Sequence, residues 1–211
     1  PTFIETNIPW VARCIGDDRQ QNYLLLDYLY RKQGLERVAI IRASNRYGRF
    51  GVREIRDGSR RLGHPIVLEM AYKVGVEDYS LQIERIAAAK PEAIVHWGDG
   101  VDGARILNQI RERGLEQPFF CSDRCVSEAF VDLAGEHASE VWSTFPWNPD
   151  REDPALDAFR QKYLQLYGIE PDTYAAHAYD GMNMVIWAIQ HAGLNRARIR
   201  DLLAYRSDPF P

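Results

Sequence analysis

The sequence predicts an α/β protein: a three-layer α-β-α lobe around a mainly parallel sheet, followed by carboxyl-terminal helices. Three observations carry this. Short β-branched runs alternate with longer segments of helical periodicity. The run Val38-Ala39-Ile40-Ile41 is apolar without alternation, as expected of a strand covered on both faces. After residue 146 the strand signals cease and only helical patterns follow.

The elements follow in order. Residues 11–15 read as a strand. Asp17 or Asp18, with Gln20 or Gln21 three residues on, reads as a capping box. The helix it opens buries Leu25, Leu26, Leu29 and Tyr30 and stops at Gly34. After the strand at Val38, a helix over 48–62 ends at Gly63 and Pro65, and residues 66–71 form the next strand. Asp78 caps a helix that points Leu81, Ile83, Ile86 and Ala87 inward, closed by Lys90-Pro91. Ala93-Ile94-Val95-His96-Trp97 is a strand, and Gly98-Asp99-Gly100 turns into a helix holding Ile106, Leu107 and Ile110, stopped by Gly114. Phe119-Phe120-Cys121 and residues 141–145 complete the sheet, with right-handed crossovers expected throughout. Pro146-Trp147-Asn148-Pro149 reads as a linker, so residues 1–145 form one lobe and 146–211 a helical segment. Its helices are predicted over 154–167, 174–192 and 195–205. The second is apolar on much of its circumference (Met182, Met184, Val185, Ile186, Trp187) and requires cover.

Composition excludes several classes. With 211 residues, 26 basic and 30 acidic side chains, the net charge is −4, which argues against a binder of nucleic-acid phosphates. No apolar run approaches a membrane span. Cys14, Cys121 and Cys125 are odd in number, and neither they nor the five scattered histidines have zinc-site spacing, so no metal is expected. Cysteine count leaves the redox compartment undecided. There is no G-x-S-x-G elbow, and pairs such as Asp17/Asp18 and Glu152/Asp153 fall where helices start, so no catalytic set is expected. Arg49, Arg53, Arg56 and Arg60 form a stripe opposite Gly51, Val52, Ile55 and Leu62; it is a solvated face or a docking surface.

In an open parallel sheet, ligands bind beyond the carboxyl ends of the strands. Three loops reach that edge, contributing Ser44, Asn45 and Tyr47, then Gly98 and Asp99 after Trp97, then Ser122, Asp123 and Arg124. An aromatic wall of Tyr47 and Trp97, hydroxyl and amide groups, and the Asp123 carboxylate suit a small polar ligand with a cationic group. The competing explanation is that loops and caps need such residues anyway.

Gly98-Asp99-Gly100-Val101-Asp102-Gly103 also fits G-x-G-x-x-G, between a strand and a helix, with Asp123 lying 20 residues past Gly103. That would be an NAD site of an oxidoreductase. Against it, Asp99 and Asp102 set two carboxylates where a pyrophosphate must approach, and either aspartate serves as a helix cap. No cofactor is therefore expected.

Several stretches together resemble the second lobe of type I periplasmic binding proteins, in particular the branched-chain amino acid (Leu/Ile/Val-type) receptors of ABC transporters. They are Arg37-Val38-Ala39-Ile40-Ile41 with Arg46-Tyr47-Gly48; Pro9-Trp10-Val11-Ala12-Arg13 with Asp17-Asp18-Arg19-Gln20; Pro118-Phe119-Phe120 leading to Asp123, with Leu133-Ala134-Gly135; and Tyr174-Ala175-Ala176-His177-Ala178-Tyr179-Asp180-Gly181. The resemblance implies a non-catalytic periplasmic or extracellular receptor that closes two lobes over an amino acid or similar solute. It also implies delivery to an ABC transporter permease. Tyr47 falls at an aromatic that lines the cleft, Trp97 and Gly98 at another cleft loop, and Asp123 at the acidic residue pairing with the ligand ammonium, where Glu is familiar. Arg124 departs from the pattern. A ligand-sensing domain of a signalling receptor has the same module, as does a transcription-regulator effector domain, though no DNA-binding head is present in these residues. The chain begins without Met or a leader, and the resemblance implies a first-lobe segment before Pro1 and a strand after Pro211. The expectation is thus a piece carrying half a binding site, with helices 146–211 folding over the lobe or pairing with another copy.

Overall fold

In the computed structural model, which describes residues 8–205, five parallel strands form one sheet in the order β2-β1-β3-β4-β5. They are β1 Val38–Ala43, β2 Leu68–Tyr72, β3 Ala93–Trp97, β4 Phe119–Cys121 and β5 Val141–Ser143. The register pairs Ile40 with Val95 and Val95 with Phe120, so the most apolar strands are central.

Side-chain alternation divides these strands between two cores. Ala39, Ile41, Ile94, Phe119 and Cys121 face one side, packed with Ile83, Ile86, Ile106, Leu107, Ile110 and Phe130. Val38, Ile40, Val95, Trp97 and Phe120 face the other, packed with Leu25, Leu26, Leu29, Val52 and Ile55. The three-layer arrangement follows from that alternation.

Helix α1 (Asp18–Leu26) continues as a π-helical turn over Asp27–Lys32 and leaves through Gly34 in the left-handed region. Helix α2 (Arg46–Arg61) starts where the Asn45 side chain accepts from Gly48 N. Helix α3 (Ser80–Ala89) ends at left-handed Lys90, and α4 (Gly100–Glu112) precedes left-handed Gly114. A 3-10 turn Asp123–Cys125 leads to α5 (Glu128–Ala134), capped by Ser127.

The arginine stripe on α2 is an ion-paired face. Arg56 and, from β1, Arg42 reach the two oxygens of Glu69, and Arg53 meets Glu54. Two expectations for apolar positions are corrected. Leu81 is 59% exposed, because α3 turns Ile83 and Ile86 to the sheet, and Leu62, past the end of α2, is also exposed.

The sheet and its helices form one compact unit, Asp18–Phe145. The described residues up to Asp17, with those from Pro146, form the other. The expectation joined residues before Asp18 to the sheet; they are non-strand and group with the later helices, and the predicted strand over 11–15 is absent. The cause is long-range: the Arg200 guanidinium lies over the Trp10 ring, and the Cys14 thiol bonds to His177 O.

In that second unit, α6 (Pro154–Tyr167) and α7 (Thr173–Ala192) are capped by Asp153 and Asp172, followed by α8 (Arg196–Tyr205). Met182, Val185 and Ile186 of α7 are exposed within it.

Candidate functional site

At the carboxyl edge of the sheet, β1, β3 and β4 deliver three loops, because the carboxyl ends of these parallel strands lie side by side. The centre is a set of bonds between residues distant in sequence. Tyr47, on the first turn of α2, donates its hydroxyl to Asp123 Oδ1 at 2.7 Å. Gln21, on α1, donates its amide to Asp123 Oδ2 at 3.2 Å, and accepts from the Thr144 hydroxyl. The Arg124 guanidinium lies 3.8 Å from the centre of the Tyr47 ring and bonds to Asp99 Oδ1 at 2.6 Å.

These contacts set the charge states. Burial, then the charge of Asp123, pushes the Tyr47 phenol well above its usual value, so it stays a neutral donor. Burial works against the Arg124 charge, but the bond to Asp99 and the negative charge of Asp123 outweigh it and raise its pKa. Asp18 adds negative charge near Tyr47.

The nine residues singled out in sequence divide into three groups. Tyr47, Asp99, Asp123 and Arg124 are brought together with polar atoms at or near the surface. Ser44 is exposed, but its contacts are structural: its N donates to Tyr72 O and its O accepts from Arg49. The Asn45 oxygen is used to cap α2. Trp97, Gly98 and Ser122 lie inside. Trp97 is 0% exposed and supports Tyr47 from beneath, with ring centres 5.9 Å apart, so it does not provide an aromatic wall. The Ser122 hydroxyl donates to Gly98 O and holds two site loops together.

The capping roles expected of Asp99 and Asp102 are corrected. Neither caps α4 with its side chain: Asp99 turns to Arg124, and buried Asp102 accepts from the Tyr79 hydroxyl and from Gly75 N. Gln21 and Thr144 were missed as site residues. Gln21 read as half of a capping box, and nothing local distinguishes that use from a reach to Asp123.

The glycines of the G-x-G-x-x-G segment have a packing explanation. A Cβ on Gly98 would lie 2.1 Å from the Tyr72 hydroxyl, one on Gly100 2.8 Å from Arg124 O, and one on Gly103 2.9 Å from the His96 ring. The loop is glycine-rich because it presses on β2, the 3-10 turn and β3.

Cys121 and Cys125 are free buried thiols. The Cys125 sulfur lies 3.6 Å from His96 Nδ1, and the Tyr72 hydroxyl meets His96 Nε2 at 2.9 Å. The neighbouring Cys121 thiol, with His96, pulls Cys125 down to about 6 against the effect of burial. This thiol–imidazole contact is enclosed in the core. Among the described residues no group of His, Cys, Asp and Glu is placed to hold a metal ion.

A sheet edge with fixed donors and acceptors is the kind of place at which binding proteins hold small solutes. Residues 5–205 match the periplasmic binding protein family. Over 196 residues the chain is 27% identical to Leu/Ile/Val-binding protein homolog 1 of Brucella abortus, covering 92% of this chain and 52% of that one. A leucine binding protein from Thermotoga maritima has the same fold, with a TM-score of 0.87 at 22% identity over 96% of this chain and 59% of that one. The branched-chain amino acid transporter substrate binding protein of Streptococcus pneumoniae, solved with isoleucine, matches at a TM-score of 0.77 and 26% identity, over 90% and 54%. The chain belongs to the periplasmic binding protein family, whose members matched here are non-catalytic substrate-binding proteins. It spans about half the length of the curated relatives it matches. Among the described residues no helix is long and apolar enough to cross a membrane.

Proposed function

We propose that this chain carries one wall of a binding site for an amino acid or similar small polar solute, in a periplasmic or extracellular receptor that delivers its ligand to an ABC importer. The observation that carries the reading is the Asp123 carboxylate, held from both sides by Tyr47 and Gln21. Each oxygen accepts one bond and keeps a free lone-pair direction for an ammonium. Two neutral donors orient the group without cancelling its charge, which is what cation recognition needs.

In this proposal the lobe is the 1–145 division expected from sequence, amended so that residues before Asp18 go with 146–211, which belong to a second lobe. Closure of such lobes by hinge bending excludes water from the ligand. The exposed apolar side chains of α7 fit cover by further chain of that lobe or by a second copy.

Thermal-shift screening of the full gene product against amino acids, small amides, carboxylates and NAD tests the reading. A ligand at a hundred times its dissociation constant stabilises by roughly 2.7 kcal/mol, a shift of several degrees. An amino acid should give this shift, and Asp123→Asn should weaken its binding by about tenfold or more, or ~1.4 kcal/mol. A shift with NAD alone, or full amino-acid affinity in Asp123→Asn, refutes the proposal.

A further inference from the structure

Arg124 is the residue at this edge that the resemblance does not account for, and its hydrogen-bonding capacity is mostly unused. A guanidinium has five N–H donors; Asp99 takes one, leaving four that meet no acceptor among the described residues. Arg124 and Asp99 have side chains 42% and 43% exposed, so the pair is wet and easily reorganised. The guanidinium lies over the Tyr47 ring, whose hydroxyl holds Asp123, so the open donors and the carboxylate are linked through one side chain without forming an ion pair with each other.

The same geometry leaves little apolar surface on this wall for an aliphatic ligand. Trp97 is wholly buried, and the Tyr47 face is covered by Arg124. A leucine or isoleucine side chain packed here would strip water from a guanidinium and return no hydrogen bond.

We infer that the ligand is an amino acid whose side chain ends in a carbonyl oxygen, as carboxylate or carboxamide, and that Arg124 reads this group. The inference rests on the proposal that Asp123 takes the ammonium. Arg124 is thus a specificity-determining residue, and the relatives' names for branched aliphatic ligands do not carry over to this chain. The ion pair with Asp99 positions Arg124 when the site is empty, and a ligand carbonyl binds the outward N–H groups.

Calorimetry on the full gene product tests this, with glutamate, glutamine, leucine and isoleucine as probes against wild type, Arg124→Met and Asp123→Asn, each checked by circular dichroism and melting. Wild type should bind glutamate or glutamine at least about tenfold more tightly than leucine, since discarding an unpaired polar group discriminates strongly. Arg124→Met should abolish that preference. The glutamate and glutamine arms separate a charged from a neutral acceptor. Preference for leucine or isoleucine in wild type overturns the inference. So does a glutamate or glutamine preference that survives in Arg124→Met. Equal weakening of all four probes by Arg124→Met would assign Arg124 to their common carboxylate and also overturns it. Asp123→Asn separates the two levels. Unchanged affinity there refutes the ammonium role itself, whereas loss in Asp123→Asn with no effect of Arg124→Met refutes only the reading of Arg124. Absence of binding to any amino acid overturns both.

Discussion

Gly51→Ala is the most informative change for the architecture beneath the site. In an exposed helix interior this substitution stabilises, because alanine has the higher helix propensity by about 1 kcal/mol. Gly51 instead faces Trp97. A Cβ there would lie 2.0 Å from Trp97 Nε1 and 2.3 Å from Cε2. An unstrained contact is ~3.5 Å, so about 1.5 Å must open. Trp97 cannot swing away, being wholly buried in a core with Val52, Ile55 and Val95. Retreat of α2 would stretch the 3.0 Å bond from the Asn22 amide to Gly51 O, and it would carry Tyr47 away from Asp123. Overpacking of this kind costs about 1–3 kcal/mol, occasionally more. An intrusion of about 1.5 Å on a ring that cannot move belongs at the upper end of that range, so against the propensity gain the net expectation is a loss of about 2 kcal/mol, or roughly 4–8 °C in melting temperature for a chain of this size. Thermal and urea unfolding, followed by tryptophan fluorescence, would measure it. An unchanged or raised melting temperature would show that the α2–β3 contact is looser than described and that Trp97 does not hold Tyr47 in place.

The remaining predictions concern buried polar groups. Asp102→Ala should cost about 2 kcal/mol, because it leaves the buried Tyr79 hydroxyl and the Gly75 amide without their acceptor; denaturant titration reads this directly. Cys125 predicts a pH dependence of defined sign. Its folded pKa, about 6, lies below the ordinary thiol value, so its contribution is present above that ordinary value and lost as pH falls through about 6. Wild-type stability should therefore rise relative to Cys125→Ala as pH goes from 6 to 8.5, and parallel pH profiles would contradict the lowered pKa of Cys125.

The regular elements of the sheet unit were legible because their signals are local. Unbroken apolar runs marked β1 and β3, and Gly34, Gly63 and Gly114 marked places where a left-handed backbone follows a helix. Within α3, Ile83 and Ile86 were placed correctly but Leu81 was not. Three-residue spacing locates a stripe without saying how wide the neighbouring sheet makes it. Residues 11–15 failed as a strand for a similar reason. β-Branched composition permits extension, but ladder partners decide it, and this segment packs against helices.

At the site, local reading found Asp123, Tyr47 and Arg124 because topology sends those loops to one edge. It could not find Gln21, whose contact spans 102 positions, nor tell that Trp97 lies inside. The sequence by itself therefore determined the layers, the order of strands and helices from Asp18 onward, and the sheet edge to which the loops carrying Tyr47, Asp99 and Asp123 go. These depend on periodicity and on backbone preferences within a few residues. Only the tertiary structure decided which carboxylate met which donor. Asp99, Asp102 and Asp123 are chemically equivalent in sequence, and only packing gave them the partners Arg124, Tyr79 and Tyr47.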